Sequence, residues 1–351
     1  MVNQHNPEIF AVIGANYGDE GKGLVTCALC RRANRSGKSV LNILTNGGCQ
    51  RGHTAYDSMG RKHIYSHLGS GYPYSDIYFS KYYMVNPMVF MDEYTQYQDQ
   101  TDKQYSNHKI YIDPECTITL PYDMLVNRMV ENRRSNRHGS CGYGIWETVR
   151  RNKITPLYIK HLSLCNFGTL HSTIRDIRDT YYPKILEEYD IKMTKDEHEL
   201  FYSDTLLCNY AEDLVNMLEM VKIISYDSLR IIYDTIVFEN AQGLLLDMDV
   251  DNWGTPSKTG MDYIRNIESS ESSITPIYVT RSYLTKHGNG LFPEVCLKEE
   301  INATMIDLTN MPNPYQGTLR YGKFSEDSIQ ELLDRIKKDA GDLNYKLLVT
   351  H

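Results

Sequence analysis

The run VIGANYGDEGKGLV, residues 12 to 25, leaves its chain few ways to fold. An apolar segment, EIFAVIGA (8–15), leads into glycines at 14, 18, 21 and 23, and GKGLVTCALCRRANRSG follows with the pattern of a helix. A second apolar stretch, SVLNILTN (39–46), comes next. Strand, glycine turn, helix and strand in that order predict a parallel sheet with crossover helices. The N–H groups of the turn and the positive end of the helix then converge on one point, which suits an anion. Lys22 adds a point charge for outer phosphates. Gly18, Glu20, Gly21 and Gly23 complete the candidate phosphate-binding set of this P-loop-like GDEGKG turn. The turn departs from the common pattern twice. Asn16 stands where the first glycine is usual, and Gly23 stands where a Ser or Thr holds magnesium.

Further strands are expected at KYYMVNP (81–87), KIYIDPE (109–115), LRIIYDTIVFEN (229–240), TPIYVTRSY (275–283) and YKLLVT (345–350). Helical patterns lie near 121–135, 172–187, 209–225 and 325–338, and KDEHELFYSDT (195–205) reads as a solvated helix or loop. Strands are spread over the whole length, with no repeat and no low-complexity linker. One large α/β domain over 1–351, with a mainly parallel central sheet and long insertions, is therefore expected rather than two domains.

Charge narrows the partners. The formal net charge is −8 at pH 7 and the pI about 5.8, which disfavours a nucleic-acid-binding surface. No signal peptide opens the chain and no apolar run approaches the ~18 residues of a membrane span, so a soluble, cytoplasmic protein is expected, in the host cytoplasm if viral. Cys27 and Cys30 form C-x-x-C, but no second cysteine pair sits at metal spacing. They read as small apolar residues on the helix after the glycine turn.

A second segment, TNGGCQRGHTAY (45–56), follows the second strand and so belongs beside the first loop at the carboxyl edge of the sheet. His53, between Gly52 and Thr54, is its candidate functional side chain. GDEGKG followed by GHT resembles the adenylosuccinate synthetase family. Other pieces match in order. SHLGSGYP resembles HLIPSG, HGSCGYGI (138–145) resembles GTTGRGIG, and VFENAQGLLLDMD (237–249) resembles FEGAQGTLLDID. TPSKTG (255–260) lies where the family has TSSNTT, and YLTKHGNGLFPE (283–294) resembles YSTRVGAGPFPTE.

The resemblance implies a carbon–nitrogen ligase of purine biosynthesis. The family phosphorylates O6 of a 6-oxopurine nucleotide and displaces that phosphate with the amine of L-aspartate. It further implies that Asp19 is the base and a Mg²⁺ ligand, which accounts for the missing Ser/Thr, and that Gly52 supplies a carbonyl to the same Mg²⁺. Lys22 would hold phosphate, His53 the moving phosphoryl group, and Gln242 the purine edge. Gln50, Arg51, Thr54, Ser140, Cys141, Thr255 and Ser257 would line the nucleotide and its phosphates. Arg150, or its neighbour Arg151, would reach into a partner subunit, making a homodimer. The plain reading of that Arg pair is a solvated helix face.

Three departures bear on the substrate. The family's arginine-rich aspartate loop, TTGRRRRTGW, is here YQGTLRYGKF, leaving Thr318 and Arg320, with Lys323 or Lys286 as added cations. One lost arginine touches the ribose 2′-hydroxyl, so its absence suits a deoxyribonucleotide. Gln50 and Arg51 replace an Asn and a small residue, and Arg51 is expected to supply a new phosphate contact. LLVTH aligns with the strand before the family's guanine-selecting TKLD, whose acid is absent from this sequence. These departures resemble a short bacteriophage branch of the family, linked to 2-aminoadenine DNA, that condenses aspartate with dGMP and uses ATP or dATP. Against this, that branch often carries Ser at the position of Asp19, and Asp is the residue expected for IMP with GTP. A simple nucleotide kinase would need a Ser/Thr after Lys22 and a lid of arginines. A non-catalytic nucleotide-binding regulator remains the third reading.

Overall fold

The computed structural model describes residues 6–247, 258–270, 273–305 and 316–350. Eight strands form the central sheet: β1 (Glu8–Gly14), β2 (Val40–Leu44), β3 (Asp76–Phe79), β4 (Ile110–Ile112), β5 (Lys222–Ile223), β6 (Thr235–Gly243), β7 (Ile274–Arg281) and β8 (Lys346–Thr350). They run in the order β5-β4-β3-β2-β6-β1-β7-β8, and every neighbouring pair is parallel. The helices that position the site are α1 (Lys22–Arg35), α2 (Pro87–Gln100), α3 (Pro121–Arg133), α4 (Ile145–Asn152), α5 (Phe167–Thr180), α6 (Tyr182–Glu188), α7 (Lys195–Phe201), α8 (Asp204–Met220), α9 (Met261–Ile267) and α10 (Glu326–Ala340).

A parallel sheet needs cover on both faces, and the strand residues alternate to meet it. Val12 of β1 joins α1, α2, α3 and α5 to α8 in one core, while Ile9, Ala11 and Ile13 join α9 and α10 in the other. The single α/β fold with a parallel sheet is therefore as expected, and most predicted elements are present. Two details differ, and the stretch after Thr194 takes the helical one of its two expected forms. KYYMVNP forms only Tyr83–Val85, in a small sheet with Gly47–Gly48 and Thr117–Ile118, while the central place goes to β3. The helix near 172–187 breaks between α5 and α6, where Pro183 cannot donate to the preceding turn. The stretch after Thr194 is the helix α7, started by a capping box in which Thr194 and Glu197 exchange side-chain bonds to backbone N–H groups.

Cys27 and Cys30 are both buried on α1, and the eight cysteines are all free thiols. No helix among the described residues is long and apolar enough to cross a membrane.

Candidate functional site

β1 ends at Gly14, and the chain then turns through three left-handed residues, Gly18 (φ 101), Asp19 (φ 59) and Gly21 (φ 92), into α1. Glycine adopts that region freely, and Asp is among the few side chains that tolerate it. Inside the turn, Glu20 folds back. Its Oε1 accepts from the N–H of Asn16 (3.1 Å) and of Gly18 (2.8 Å), and its Oε2 pairs with Lys22 Nζ at 2.7 Å. Both charged side chains are almost fully buried. The anion cradle foreseen in the sequence therefore exists, and a carboxylate of the same chain sits in it. A carboxylate cannot donate to a phosphate, so Glu20 is not itself a phosphate contact. Gly243 closes the cradle from β6: a Cβ there would lie 2.0 Å from the Asn16 carbonyl oxygen.

Gly23 has an equally specific reason. A Cβ on it would lie 2.7 Å from the Thr54 carbonyl oxygen and 3.1 Å from both His53 Cβ and Ser70 Oγ. A Ser or Thr does not fit, because the start of α1 packs directly on the strand His53–Tyr56. The two glycine-rich motifs are thus brought into contact.

Asp19 points out of the turn with about a third of its side chain exposed, and its Oδ2 lies 3.2 Å from His287 Nε2. Arg281 Nε donates to its backbone carbonyl. Burial alone would raise the Asp19 carboxyl. The His287 hydrogen bond and the charges of His287, Arg281 and Lys22 outweigh it and hold the group below the usual carboxylate range. An ionised carboxylate of this kind is a hard ligand that suits Mg²⁺. Among the described residues no three His, Cys, Asp or Glu side chains gather as a metal cage. A magnesium held by Asp19, the Gly52 carbonyl and substrate phosphates needs none.

His53 is set between two oxygens. Its Nδ1 is 2.6 Å from Glu239 Oε1 and its Nε2 is 3.0 Å from the Ala241 carbonyl oxygen. Glu239 is completely buried. It also pairs with Arg51 at 2.8 Å and accepts from Ser70 Oγ (2.6 Å) and Ser70 N–H (3.1 Å). Burial pushes against its charge, but Arg51, His53 and Ser70 together hold its carboxyl well below the usual range. Burial and the Arg51 charge lower the His53 imidazole, against the pull of Glu239. Arg51 spends one terminal nitrogen on Glu239, while its Nε and NH1 have no hydrogen-bond partner among the described residues. Gln50, beside Gly47, keeps both amide atoms buried without a hydrogen-bond partner among the described residues. Gln242 is buried at the end of β6, one residue before Gly243.

The loop carrying Ser140 and Cys141 docks on the KHGNG turn, where Asn289 N–H donates to the His138 carbonyl at 3.2 Å and a Cβ on Gly139 would meet Gly288 Cα at 2.6 Å. Two motifs of the sequence resemblance therefore touch. Ser140 Oγ donates to Asn127 Oδ1 at 2.9 Å, and burial raises the Cys141 thiol, which stays protonated. Arg320 and Lys286 stand opposite each other on antiparallel strands, packed over the rings of Phe292 (5.2 Å) and Tyr17 (5.2 Å). Two cations side by side suit a dicarboxylate. Thr318 is exposed nearby, and Lys323 is drawn to Glu300 at 3.8 Å. Thr255 and Ser257 lie outside the described residues. At the far edge, Thr350 Oγ1 of β8 donates to the Glu20 carbonyl at 2.7 Å, so the last strand ends against the first loop.

The Arg pair on α4 is not a solvated face. Arg151 is fully buried against Asp123, and Arg150 is bound by Glu188 and lies 5.0 Å over the Tyr189 ring. Beside them, burial pushes the Glu147 carboxyl up to about 7, against the hydrogen bond from Tyr189 and assisted by Asp123. A raised folded pKa means that its stabilising share is complete below about 4.5 and is lost as pH rises through about 7. Glu147→Gln keeps an acceptor for Tyr189 and is neutral throughout. It is expected to gain about 2 kcal/mol over wild type at pH 8 and almost nothing at pH 4.5, read from urea melts.

Glu239, His287 and the inward turn of Glu20 are the site features that the motifs alone do not reveal. A lone charge inside the apolar run TIVFENAQG is the one signal that marks Glu239.

Comparison with known proteins agrees with this geometry. The family model described as adenylosuccinate synthetase matches residues 11–310. An adenylosuccinate synthetase of Gloeothece citriformis is 28% identical over 310 residues, covering 84% of this chain and 64% of the relative. That of Francisella tularensis subsp. novicida is 26% identical over 299 residues, covering 80% and 64%. The matched region thus spans just under two thirds of the length of these relatives. Two solved structures share the fold. Fully ligated adenylosuccinate synthetase from Plasmodium falciparum superposes with a TM-score of 0.72 at 20% identity, over 96% of this chain and 76% of that one. Succinoaminodeoxyadenylate synthetase of cyanophage S-2L, bound to dGMP and to dATP as an energy donor, gives 0.60 at 12% identity, over 98% and 92%.

Proposed function

The chain belongs to the adenylosuccinate synthetase family, and from that premise we propose that it is a ligase joining L-aspartate to a 6-oxopurine nucleotide at the expense of a nucleoside triphosphate. The observation that carries this reading is the contact of Gly23 with His53 and Thr54, which sets the Asp19–Lys22 loop and the histidine around one space. A binding module has no need of a base and a phosphoryl-facing histidine in the same place.

In this reading Asp19 accepts the purine N1 proton while O6 attacks the γ-phosphorus, and the nucleoside diphosphate leaves. Lys22 and His53 carry the charge that develops on the moving phosphoryl group. Bound Mg²⁺ would supply further charge neutralisation at the phosphates. The aspartate amine, its carboxylates held by Arg320 and Lys286, then attacks C6. Phosphate leaves and the amine loses a proton. Lys22 must first exchange Glu20 for phosphate, since the two side chains are paired in the resting loop.

The nucleotide is proposed to be dGMP, with ATP or dATP as donor. The support is Arg320 standing alone where the family has a run of arginines, which removes a partner of the ribose 2′-hydroxyl, and the likeness in fold to the cyanophage enzyme along nearly its whole length. A second reading, IMP with GTP, is favoured by Asp19 itself. The test is phosphate release from purified protein given Mg²⁺ and L-aspartate with IMP, GMP or dGMP, each with GTP, ATP or dATP. Turnover is expected with dGMP and ATP or dATP. Turnover with IMP and GTP alone sinks the dGMP reading, and none with any pair leaves a nucleotide-binding regulator. A homodimer, with Arg150 near its interface, belongs to the same proposal, and sedimentation at micromolar concentration tests it.

A further inference from the structure

We propose that Glu239 is the positioning residue of the phosphoryl-transfer step. It holds the His53 ring so that Nδ1 is spent internally and the Nε2 edge faces the reacting phosphoryl group, while Arg51 is the counter-charge paired with this carboxylate. The proposal rests on the ligase reading above for its catalytic meaning, and on geometry for the rest.

Four polar groups surround the Glu239 carboxylate, and all four are donors: Arg51 NH2, His53 Nδ1, Ser70 Oγ and Ser70 N–H. Three of them converge on the single oxygen Oε1, at 2.8, 2.6 and 2.6 Å. A neutral amide cannot replace this group without turning an NH2 toward at least one donor. A buried carboxylate with one imidazole partner would leave its charge poorly compensated, and Arg51 supplies the missing cation. The guanidinium is itself completely buried and paired with Glu239, and its Nε and NH1 atoms have no hydrogen-bond partner among the described residues. On the other side of the ring, Nε2 rests on the carbonyl of Ala241, next to Gln242. A phosphoryl oxygen entering beside Gln242 takes the place of that carbonyl as acceptor from Nε2–H, while Nδ1–H stays on Glu239. The ring does not have to turn, because Glu239 already fixes its plane.

The test uses two variants of the full chain, Glu239→Gln and the double Arg51→Met/Glu239→Gln. In the double variant both members of the buried pair become neutral, so the fold is relieved of an orphaned charge while His53 still lacks its carboxylate. With the substrate pair that wild type turns over, Glu239→Gln is expected to lower kcat about 100-fold with each KM within about threefold. The double variant is expected to regain most of the lost Tm and none of the lost kcat. Recovery of kcat together with Tm, or wild-type kcat in either variant, would falsify the positioning role and leave Glu239 a structural ion. Ring ¹⁵N spectra at one pH, with His53 assigned through His53→Asn, give a readout independent of turnover. Wild type should show Nδ1 held as N–H and Glu239→Gln a ring averaged at Nδ1, and averaging at Nδ1 in wild type overturns the geometric claim. A wild type that turns over no pair, with a fixed ring, sinks the ligase reading and the catalytic claim with it.

Discussion

Asp19→Asn is expected to reduce phosphate release by about 10³-fold or more while dATP affinity, read by calorimetry, stays within about threefold. The substitution is clean for a physical reason. Asp19 sits at φ 59, a region that Asn tolerates as well as Asp, and Arg281 holds the backbone carbonyl rather than the side chain. The turn therefore keeps its shape, and Lys22 and the cradle of N–H groups keep theirs. Only the charge is lost, and with it the proton acceptor and the hard metal ligand. The resting carboxyl is held below its usual range by His287, so wild type carries the charged form at neutral pH and the comparison is between a carboxylate and an amide. Turnover within tenfold of wild type would remove Asp19 as the base.

The largest loss of stability is expected at Arg151→Met, about 3–5 kcal/mol in urea melts. Arg151 reaches Asp123 through Nε (3.2 and 3.1 Å) and NH2 (3.0 Å), and NH2 also donates to the Ile118 carbonyl at 2.6 Å. Asp123 in turn caps α3 at Leu120 N–H and accepts from Thr148 and Tyr182. Removing the cation leaves a fully buried carboxylate with hydroxyl and amide donors alone. Asp123→Asn/Arg151→Met, in which both charges go together, should recover most of the loss. If the double variant is no better than the single one, the hydrogen bonds to Ile118 and α4 matter more than the charge pair.

The sequence was most readable where glycines meet a stereochemical demand. Gly18, Gly21 and Gly23 announce a turn with left-handed residues and a close approach, and each is used so. The near-continuous apolar run in EIFAVIGA announces a strand covered on both faces, and β1 is that strand. Legibility fails where a partner lies far along the chain. His53 and Glu239 are 186 residues apart, so nothing near Arg51 says that it will pair with a carboxylate. Arg150 and Arg151 are adjacent and alike in type, but one step of the helix turns one toward Asp123 and the other toward Glu188. β3 has only four residues after the Tyr- and Pro-rich SGYPYS, too short a span for a period of two to stand out, and its central place follows from β2 and β4 on either side. Glu20 is visible as an acid in a phosphate loop, but its backward fold depends on Lys22, Asn16 and Gly18 closing around it.

The sheet order also has a consequence in time. β1 is made well before its neighbours, β6 and β7, whose residues begin at 235 and 274. Pairing across such separations is slow, because a long loop must close before any contact rewards it. Until then the nascent chain carries an unpaired apolar strand and an open glycine turn, the kind of surface that chaperones hold. Thr350, 330 residues beyond Glu20, adds its bond to the Glu20 carbonyl later still. The glycine loop is thus made long before the strand that braces it.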